Sequence, residues 1–379
     1  MKSPLLLSAL LLLASCGSDN NGKSEPTTPE TPEVGATTFA RGADISWYSE
    51  MKADGHKFYN EKGEERELPV LMQELGTNAV RFRVWVNPEN KGSNYNNTAD
   101  VVAKSVEAHK LGMDVMIDFH YSDWWAAPSR QEIPAAWTGH SLDELKTDVR
   151  NHTTDVLKAL KTAGVTPKWV QVGNETNPGM LGEMGTAMKP QQYAALFKTG
   201  YEAVKSVFPN ALVMPHLAKG FDSGVFKWNL DALVNNGAKF DMIGMSIYPT
   251  EFQYWDDAKG ANINTTFWSE TAAANVTLTS KADLIDKAFL TIDYLAKRYN
   301  CKVMIVETGI DDAFSQTSIQ VMETLKTKAQ ANENCAGVFF WEPQCDGVWK
   351  PTVYETLGWG AYTLGAFSKE GRPAPFLKW

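Results

Sequence analysis

The chain has 379 residues, of which 43% are hydrophobic and 21% charged, and a net charge of −9. That acidity, with no long basic run, excludes nucleic acid as an expected partner. The composition is that of a folded protein, and the length exceeds the usual single domain but is one that an α/β barrel reaches around a single core. There are 13 tryptophans, many in segments that read as loops. Exposed indoles cost solubility, so a cluster of them suggests a binding surface, and an indole face matches the apolar C–H face of a sugar.

The chain begins with Lys2 and an apolar run from Leu5 to Leu13. The run is too short to span a bilayer, so residues 1–15 read as an export signal. It ends in Leu13-Ala14-Ser15-Cys16, which resembles a bacterial lipobox, where cleavage precedes the cysteine and its thiol is lipidated. Cys16 is therefore the expected lipid anchor, holding an exported protein to a bacterial membrane, with the outer membrane favoured and the choice of its face, including the cell surface, left open. An ordinary signal peptide with an incidental cysteine is the plainer alternative. Residues 16–37 are rich in Ser, Asn, Gly, Pro, Thr and Glu. They cannot bury enough apolar surface to offset their ordering entropy and read as a flexible linker. Residues 38–379 are expected to be one catalytic domain, and a monomer is expected.

Within that domain short apolar runs alternate with helical patterns. The runs are 40–45, 78–84, 114–120, 169–173, 211–216, 242–247, 302–306 and 337–341, rich in Val, Ile, Met and Phe as parallel strands covered by helices are. Residues 98–111 carry Val101, Val102, Val106 and Leu111 at helical spacing and stop at Gly112. Ser141 and Glu144 form a capping box that opens a long helix ending near Gly164. Helical patterns at 191–208, 283–298 and 318–331 continue the alternation. Eight such units predict a (β/α)8 barrel; an open doubly wound sheet is the alternative, disfavoured because no glycine-rich phosphate loop follows the first strand.

A barrel places its active site at the C-terminal ends of its strands. The residues that close these runs include Asp44, Arg81, Arg83, His120, Asn174, Glu175, Tyr248, Glu307, Trp341 and Glu342. Glu175 ends the fourth strand and Glu307 the seventh, each at the edge of a dry core. Cleavage of a glycosidic bond needs two carboxyl groups, one to protonate the leaving oxygen and one to attack the anomeric carbon or activate water. A lone glutamate at a strand end is more often a salt-bridge partner or a helix cap; two on these strands are harder to dismiss. His216 closes the fifth strand, where structural and functional readings stand level.

The pattern Asn174-Glu175 on strand four and Glu307 on strand seven resembles the clan of retaining (β/α)8 glycosidases. Within it the chain resembles glycoside hydrolase family 53, the endo-β-1,4-galactanases. The matching runs are Gly42-Ala43-Asp44-Ile45-Ser46-Trp47, Arg81-Phe82-Arg83-Val84-Trp85-Val86-Asn87-Pro88, Asp118-Phe119-His120-Tyr121-Ser122-Asp123, Pro134-Ala135-Ala136-Trp137, Tyr248-Pro249 and Trp341-Glu342-Pro343. The resemblance implies Glu175 as acid/base and Glu307 as nucleophile, acting with retention on pectic galactan or type I arabinogalactan. It implies substrate-binding roles for Asp44, Arg81, Arg83, Trp85, His120, Asn174, Tyr248 and Trp341. Arg81 is expected to favour ionised Glu307, Tyr248 to orient it, and Trp341 to floor the reacting subsite. Trp85, Trp124, Trp125 and Trp137 are divided between packing and substrate contact.

The chain also departs from the family. Trp125-Ala126-Ala127-Pro128 replaces a common Trp-Ala-Asp-Pro, which puts a loop brace or a substrate contact in doubt. No cofactor is expected; Asp311 and Asp312 are weak structural-calcium candidates without proper ligand spacing. The long connection 249–281 is expected to wall one end of an open groove. Cys301 and Cys335 precede adjacent strands and are expected to form a disulfide, leaving Cys345 free. Rival readings are another activity of the same clan, such as a β-mannanase or arabinofuranosidase, a glycan-binding protein on an inactive barrel, and a transporter's solute-binding lipoprotein.

Overall fold

A computed structural model of the chain describes residues 38–182, 189–250, 255–256, 261–262, 266–278 and 281–379. Cys16, the export signal and the linker lie outside the described residues. Thr38–Trp379 forms one unit, built on a parallel sheet that closes on itself. Its strands are β1 Ala40–Asp44, β2 Ala79–Val84, β3 Asp114–Phe119, β4 Trp169–Val172, β5 Leu212–Met214 with its continuation His216–Leu217, β6 Ile243–Ser246, β7 Val303–Thr308 and β8 Cys335–Trp341. Each pairs in parallel with the next, and β8 pairs with β1, so the fold is a (β/α)8 barrel.

Closure runs through a break in β5. Leu212–Met214 pairs with β4, and His216–Leu217 pairs with β6. Between them sits Pro215, which has no N–H to donate to a ladder; its carbonyl still accepts from Gly244 N at 2.9 Å. The two pieces on either side of Pro215 thus pair with different neighbours.

Helices α1 Leu68–Glu74, α2 Thr98–Lys110, α3 Leu142–Thr162, α4 Pro190–Val207, α5 Ser223–Asn235, α6 Lys281–Tyr299 and α7 Gln316–Ala331 lie between the strands. The capping box on α3 is present, with Ser141 and Glu144 each satisfying the other's backbone N–H. The sequence pattern had not singled out α1, which is a short helix opened by Pro69, or α5.

The barrel interior is layered. Ala79, Met116, Trp169, Met214, Met304 and Phe339 fill its lower part. Phe339 fits because Gly42 faces it: a Cβ on Gly42 would lie 2.3 Å from the ring. Two residues further along three of these strands, side chains of the same face are polar: Arg81, Asp118 and Gln171 follow Ala79, Met116 and Trp169. On β7 the register shifts between Ile305 and Glu307. Val306 belongs to the interior cluster, and the bulge lets the adjacent Glu307 turn inward as well, which a regular strand with alternating faces forbids.

The expected disulfide is absent. Cys301, Cys335 and Cys345 are all free thiols. Cys335 is the register partner of Val303, so Cys301 is two residues too early. That staggers the pair by ~7 Å along the sheet on top of the ~4.8 Å between strands, beyond the ~7 Å that a disulfide spans between Cα atoms. Of the connection 249–281, residues Thr266–Ser269 and Ala274–Thr277 form a hairpin. Phe267 packs on Phe221 with ring centres 5.7 Å apart, and Trp268 is exposed. Phe252 and Tyr254, and with them part of the expected groove wall, lie outside the described residues.

A thiol titration of residues 38–379, denatured without reductant, is expected to count three free thiols; a count of one would restore the bridge.

Candidate active site

The strand ends converge on the guanidinium of Arg81, which is wholly buried. Its Nη1 donates to Asp44 Oδ2 at 2.6 Å, and its Nη2 to Asp118 Oδ2 at 2.8 Å and to Asn174 Oδ1 at 2.9 Å. The Nε donates to Gln171 Oε1 at 2.6 Å, and Nη2 lies 2.9 Å from Glu307 Oε1. One side chain on β2 thus ties the ends of β1, β3, β4 and β7. Burial alone would raise Asp118; the Arg81 charge and the His120 N–H outweigh it and hold the carboxyl below its usual range.

Glu175 and Glu307 face each other above this layer. One carboxylate oxygen of each, with a ring nitrogen of His216, falls within a 4.8 Å cluster. Glu175 sits just past β4 with φ 44°, after Gly173 with φ 88°. The left-handed turn is strained for a non-glycine residue and aims the carboxyl across the barrel mouth. Glu342, past β8, has the same backbone with φ 43°. Burial pushes Glu175 above its ordinary range, with the Arg81 charge opposing. Burial also raises Glu307; Arg81 pulls it back and Glu175 pushes it further. Two carboxyls so close and so dry each make the other's ionisation harder. The Tyr248 hydroxyl, kept protonated by burial, donates to Glu307 Oε2 at 2.9 Å.

Ser246 stands between the two. Its Oγ is 2.7 Å from Glu175 Oε1, 3.4 Å from Glu307 Oε2 and 2.7 Å from His216 Nε2. Sequence reasoning passed over Ser246, and also over Asp118 and Gln171 as site residues. The signal was available: each lies two positions before a strand-end residue, Ser246 before Tyr248, Asp118 before His120 and Gln171 before Gly173, on the face that points inward.

The substrate-contact expectations divide by exposure. Asp44, Arg81, Arg83 and Trp85 are at most 2% exposed, so no surface of theirs is open to a sugar. They support the site from beneath, which corrects the expectation of direct binding. Trp85 Nε1 donates to His120 Nδ1 at 3.3 Å, and Ala126 N to the same atom at 3.0 Å. His120 Nε2 faces Asp118 Oδ2 at 3.0 Å, so both ring nitrogens are taken by protein. Arg83 pairs with Glu342 and stacks among Trp125, Trp47 and Trp85, at 4.3, 4.9 and 5.3 Å from their rings. Asn174 gives its Nδ2 to Ala126 O at 2.7 Å. Glu175, Tyr248, Trp125 and Trp341 keep partial exposure, whereas Trp124 and Trp137 are packing residues. Where Ala127 lacks a carboxylate, Asp123 braces the loop, accepting from Asn87 N, Asn90 Nδ2 and Ala135 N at 3.0, 2.8 and 3.0 Å.

Among the described residues, Glu175, His216 and Glu307 are the one group of three His, Cys, Asp or Glu side chains close enough to share a cation. Both nitrogens of His216 already meet Asn174 and Ser246, and Glu307 meets Arg81 and Tyr248. The donor set therefore fits a cation poorly. Asp311 and Asp312 join no such group; their carbonyls accept from Ser318 Oγ and Ser315 N at the start of α7, a structural use of the turn.

A barrel with paired glutamates closing β4 and β7 is the frame of many glycosidases; comparison with known proteins decides which. Residues 40–378 match glycosyl hydrolase family 53. The chain belongs to that family. It is a glycoside hydrolase. The endo-beta-1,4-galactanase of Bacillus subtilis (strain 168) is 29% identical over 374 residues, covering 90% of this chain and 79% of that enzyme. An uncharacterized protein of Niallia circulans is 38% identical over 219 residues, and this chain spans 59% of its length. The solved family 53 catalytic domain of Ignisphaera aggregans superposes with a TM-score of 0.74 at 28% identity, over 92% of this chain and 96% of that one.

Arg81→Ala leaves three buried carboxylates without their shared cation. It is expected to cost roughly 3–5 kcal/mol at neutral pH. Asp118, held low by Arg81 in the wild type, contributes stability above its unfolded pKa that is lost as pH falls; the gap between wild type and variant should therefore narrow in acid. Urea unfolding at pH 7 and pH 4 checks both the size and the sign.

Proposed function

We propose that the chain is an endo-β-1,4-galactanase acting on pectic galactan or type I arabinogalactan, with retention of configuration, Glu175 as acid/base and Glu307 as nucleophile. The observation that carries this reading is the unequal setting of two adjacent carboxyls. Glu307 receives the Arg81 guanidinium and the Tyr248 hydroxyl, both donors, which favour its carboxylate. Glu175 has neither, while burial raises both carboxyls. One proton on the pair then belongs to Glu175. One oxygen of Glu175 lies within 4.8 Å of one oxygen of Glu307, a closeness that supports retention, which uses carboxyls about 5–5.5 Å apart, over inversion, which sets them farther apart to admit a water. The galactan substrate is supported by the name of the Bacillus subtilis relative.

In the first step Glu307 attacks the anomeric carbon while Glu175 protonates the leaving glycosidic oxygen. In the second, Glu175 takes a proton from water as that water displaces Glu307. Trp341, braced by Tyr362 with ring centres 4.6 Å apart, offers the floor for the reacting galactose.

Wild-type protein should release short galacto-oligosaccharides from potato galactan, and Glu175→Ala and Glu307→Ala should each lose at least ~100-fold. Cleavage of mannan or arabinan instead would discard the substrate while keeping the pair. With azide, Glu175→Ala should regain turnover as the β-galactosyl azide; an α-azide from that variant would reverse the roles. The pH profile should be bell-shaped: protonation of Glu307 cuts activity on the acid side, and loss of the Glu175 proton cuts it on the alkaline side. The alkaline limb should lie above the ordinary glutamate value of about 4.3.

Export and lipid anchoring through Cys16 belong to the same proposal and are supported by the sequence alone. Cys16→Ala should move the protein from the detergent phase to the aqueous phase in Triton X-114 partition, and unchanged partition would reject the anchor.

A further inference from the structure

The geometry points to a directed chain of hydrogen bonds in which Ser246 and His216 hold the acid proton on Glu175. Both are positioning residues that act through Glu175, and the inference rests on Glu175 being the acid.

The direction follows from counting hydrogens, starting at Arg81. A guanidinium only donates, so Asn174 Oδ1, 2.9 Å from Nη2, is an acceptor. The amide cannot be turned over, because its Nδ2 donates to Ala126 O at 2.7 Å. His216 Nδ1 lies 2.9 Å from the same Asn174 Oδ1 and must therefore carry a hydrogen. The backbone N of Glu175 also approaches Nδ1, but at 3.4 Å, the longer and weaker contact. His216 is fully buried. Burial and Arg81 hold it well below the usual imidazole range, so it is neutral and its other nitrogen is bare.

That bare Nε2 lies 2.7 Å from Ser246 Oγ and takes its hydroxyl hydrogen. Ser246 has one hydrogen, so at Glu175 Oε1, 2.7 Å away, it can only accept. The O–H in that contact must come from Glu175. The chain thus favours the protonated carboxyl that the first step of a retaining glycosidase requires.

When the proton passes to the leaving oxygen, the Glu175 O–H bond breaks and its electron pair stays on the carboxylate. The Ser246 hydrogen stays on His216 Nε2, so the carboxylate then faces a bare oxygen, and the chain stabilises the acid form more than the base. The groups around the chain are Arg81, Asp118 and His120 facing His216, and Arg81, Asp118, Glu307 and Tyr248 facing Glu175.

The test is the Glu175 titration in the full-length protein labelled with 13Cδ-glutamate, its resonance assigned by its loss in Glu175→Gln. In Ser246→Ala the acid form loses its acceptor, so the titration should move down by about one pH unit, the size of one hydrogen bond. Ser246→Thr keeps the hydroxyl and should restore it. Upward movement in Ser246→Ala would show that Ser246 donates to a carboxylate, and no movement would show that it holds no proton; either overturns the chain. The NMR readout needs no substrate, so it stands apart from the galactan assay that decides the underlying reading. If both hold, Ser246→Ala should slow galactan cleavage about tenfold and spare a 2,4-dinitrophenyl β-galactobioside, whose leaving group needs no proton. Equal losses on the two would assign Ser246 to structure alone.

Discussion

The Arg81 guanidinium is the interaction on which the rest of the barrel mouth depends. Asp44, Asp118 and Glu307 arrive from β1, β3 and β7, each with its charge in a nearly dry interior. Without a shared cation, three carboxylates at this distance could not all stay ionised. With it, each has its charge partner, and the strands that carry them are held at one height. The five donor sites of a guanidinium are a rigid planar fork, so the carboxylates are positioned as well as neutralised. A lysine in the same place would supply the charge without the fork.

Around this centre the site separates into layers with different duties. The buried layer of Asp44, Arg83, Asp118, His120, Gln171 and Glu342 is tied by polar contacts largely within itself, while Arg83 Nε and Nη2, Asp118 Oδ1 and Gln171 Nε2 are left without a hydrogen-bond partner. Indoles enclose Arg83, which trades hydration for ring faces. Only above it do Glu175, Tyr248, Trp125 and Trp341 meet solvent. The proposed mechanism draws on this separation: the acid and the nucleophile are alike in chemistry and differ in their neighbours. Donors crowd Glu307, whereas Glu175 sees a serine whose own hydrogen is committed elsewhere.

Much of this was legible in the chain before folding. The eight apolar runs coincide with the eight barrel strands to within a few residues, because a strand buried on both faces must be apolar along its length. Glu175 and Glu307 stood out because a charged residue ending such a run is expensive unless it is used. The support layer was misread as substrate contact. Asp44, Arg81, Arg83 and Trp85 occupy strand ends, and sequence shows which face a residue shares but not how deep it lies. Ser246 escaped notice because serine is unremarkable in any strand; its weight comes from what stands on either side of it.

By itself the sequence determined the alternation of elements, the polar ends of the strands, and the two carboxyls on strands four and seven, since these follow from local periodicity and from the energetics of burying charge. Only the tertiary structure decided the register. It staggered Cys301 from Cys335, placed a bulge that turns Glu307 inward beside Val306, and let β5 change partners at Pro215. It also set the order of donors and acceptors from Arg81 through Asn174, His216 and Ser246 to Glu175. Register and hydrogen-bond direction depend on which atoms meet across strands far apart in the chain, and no local pattern specifies that.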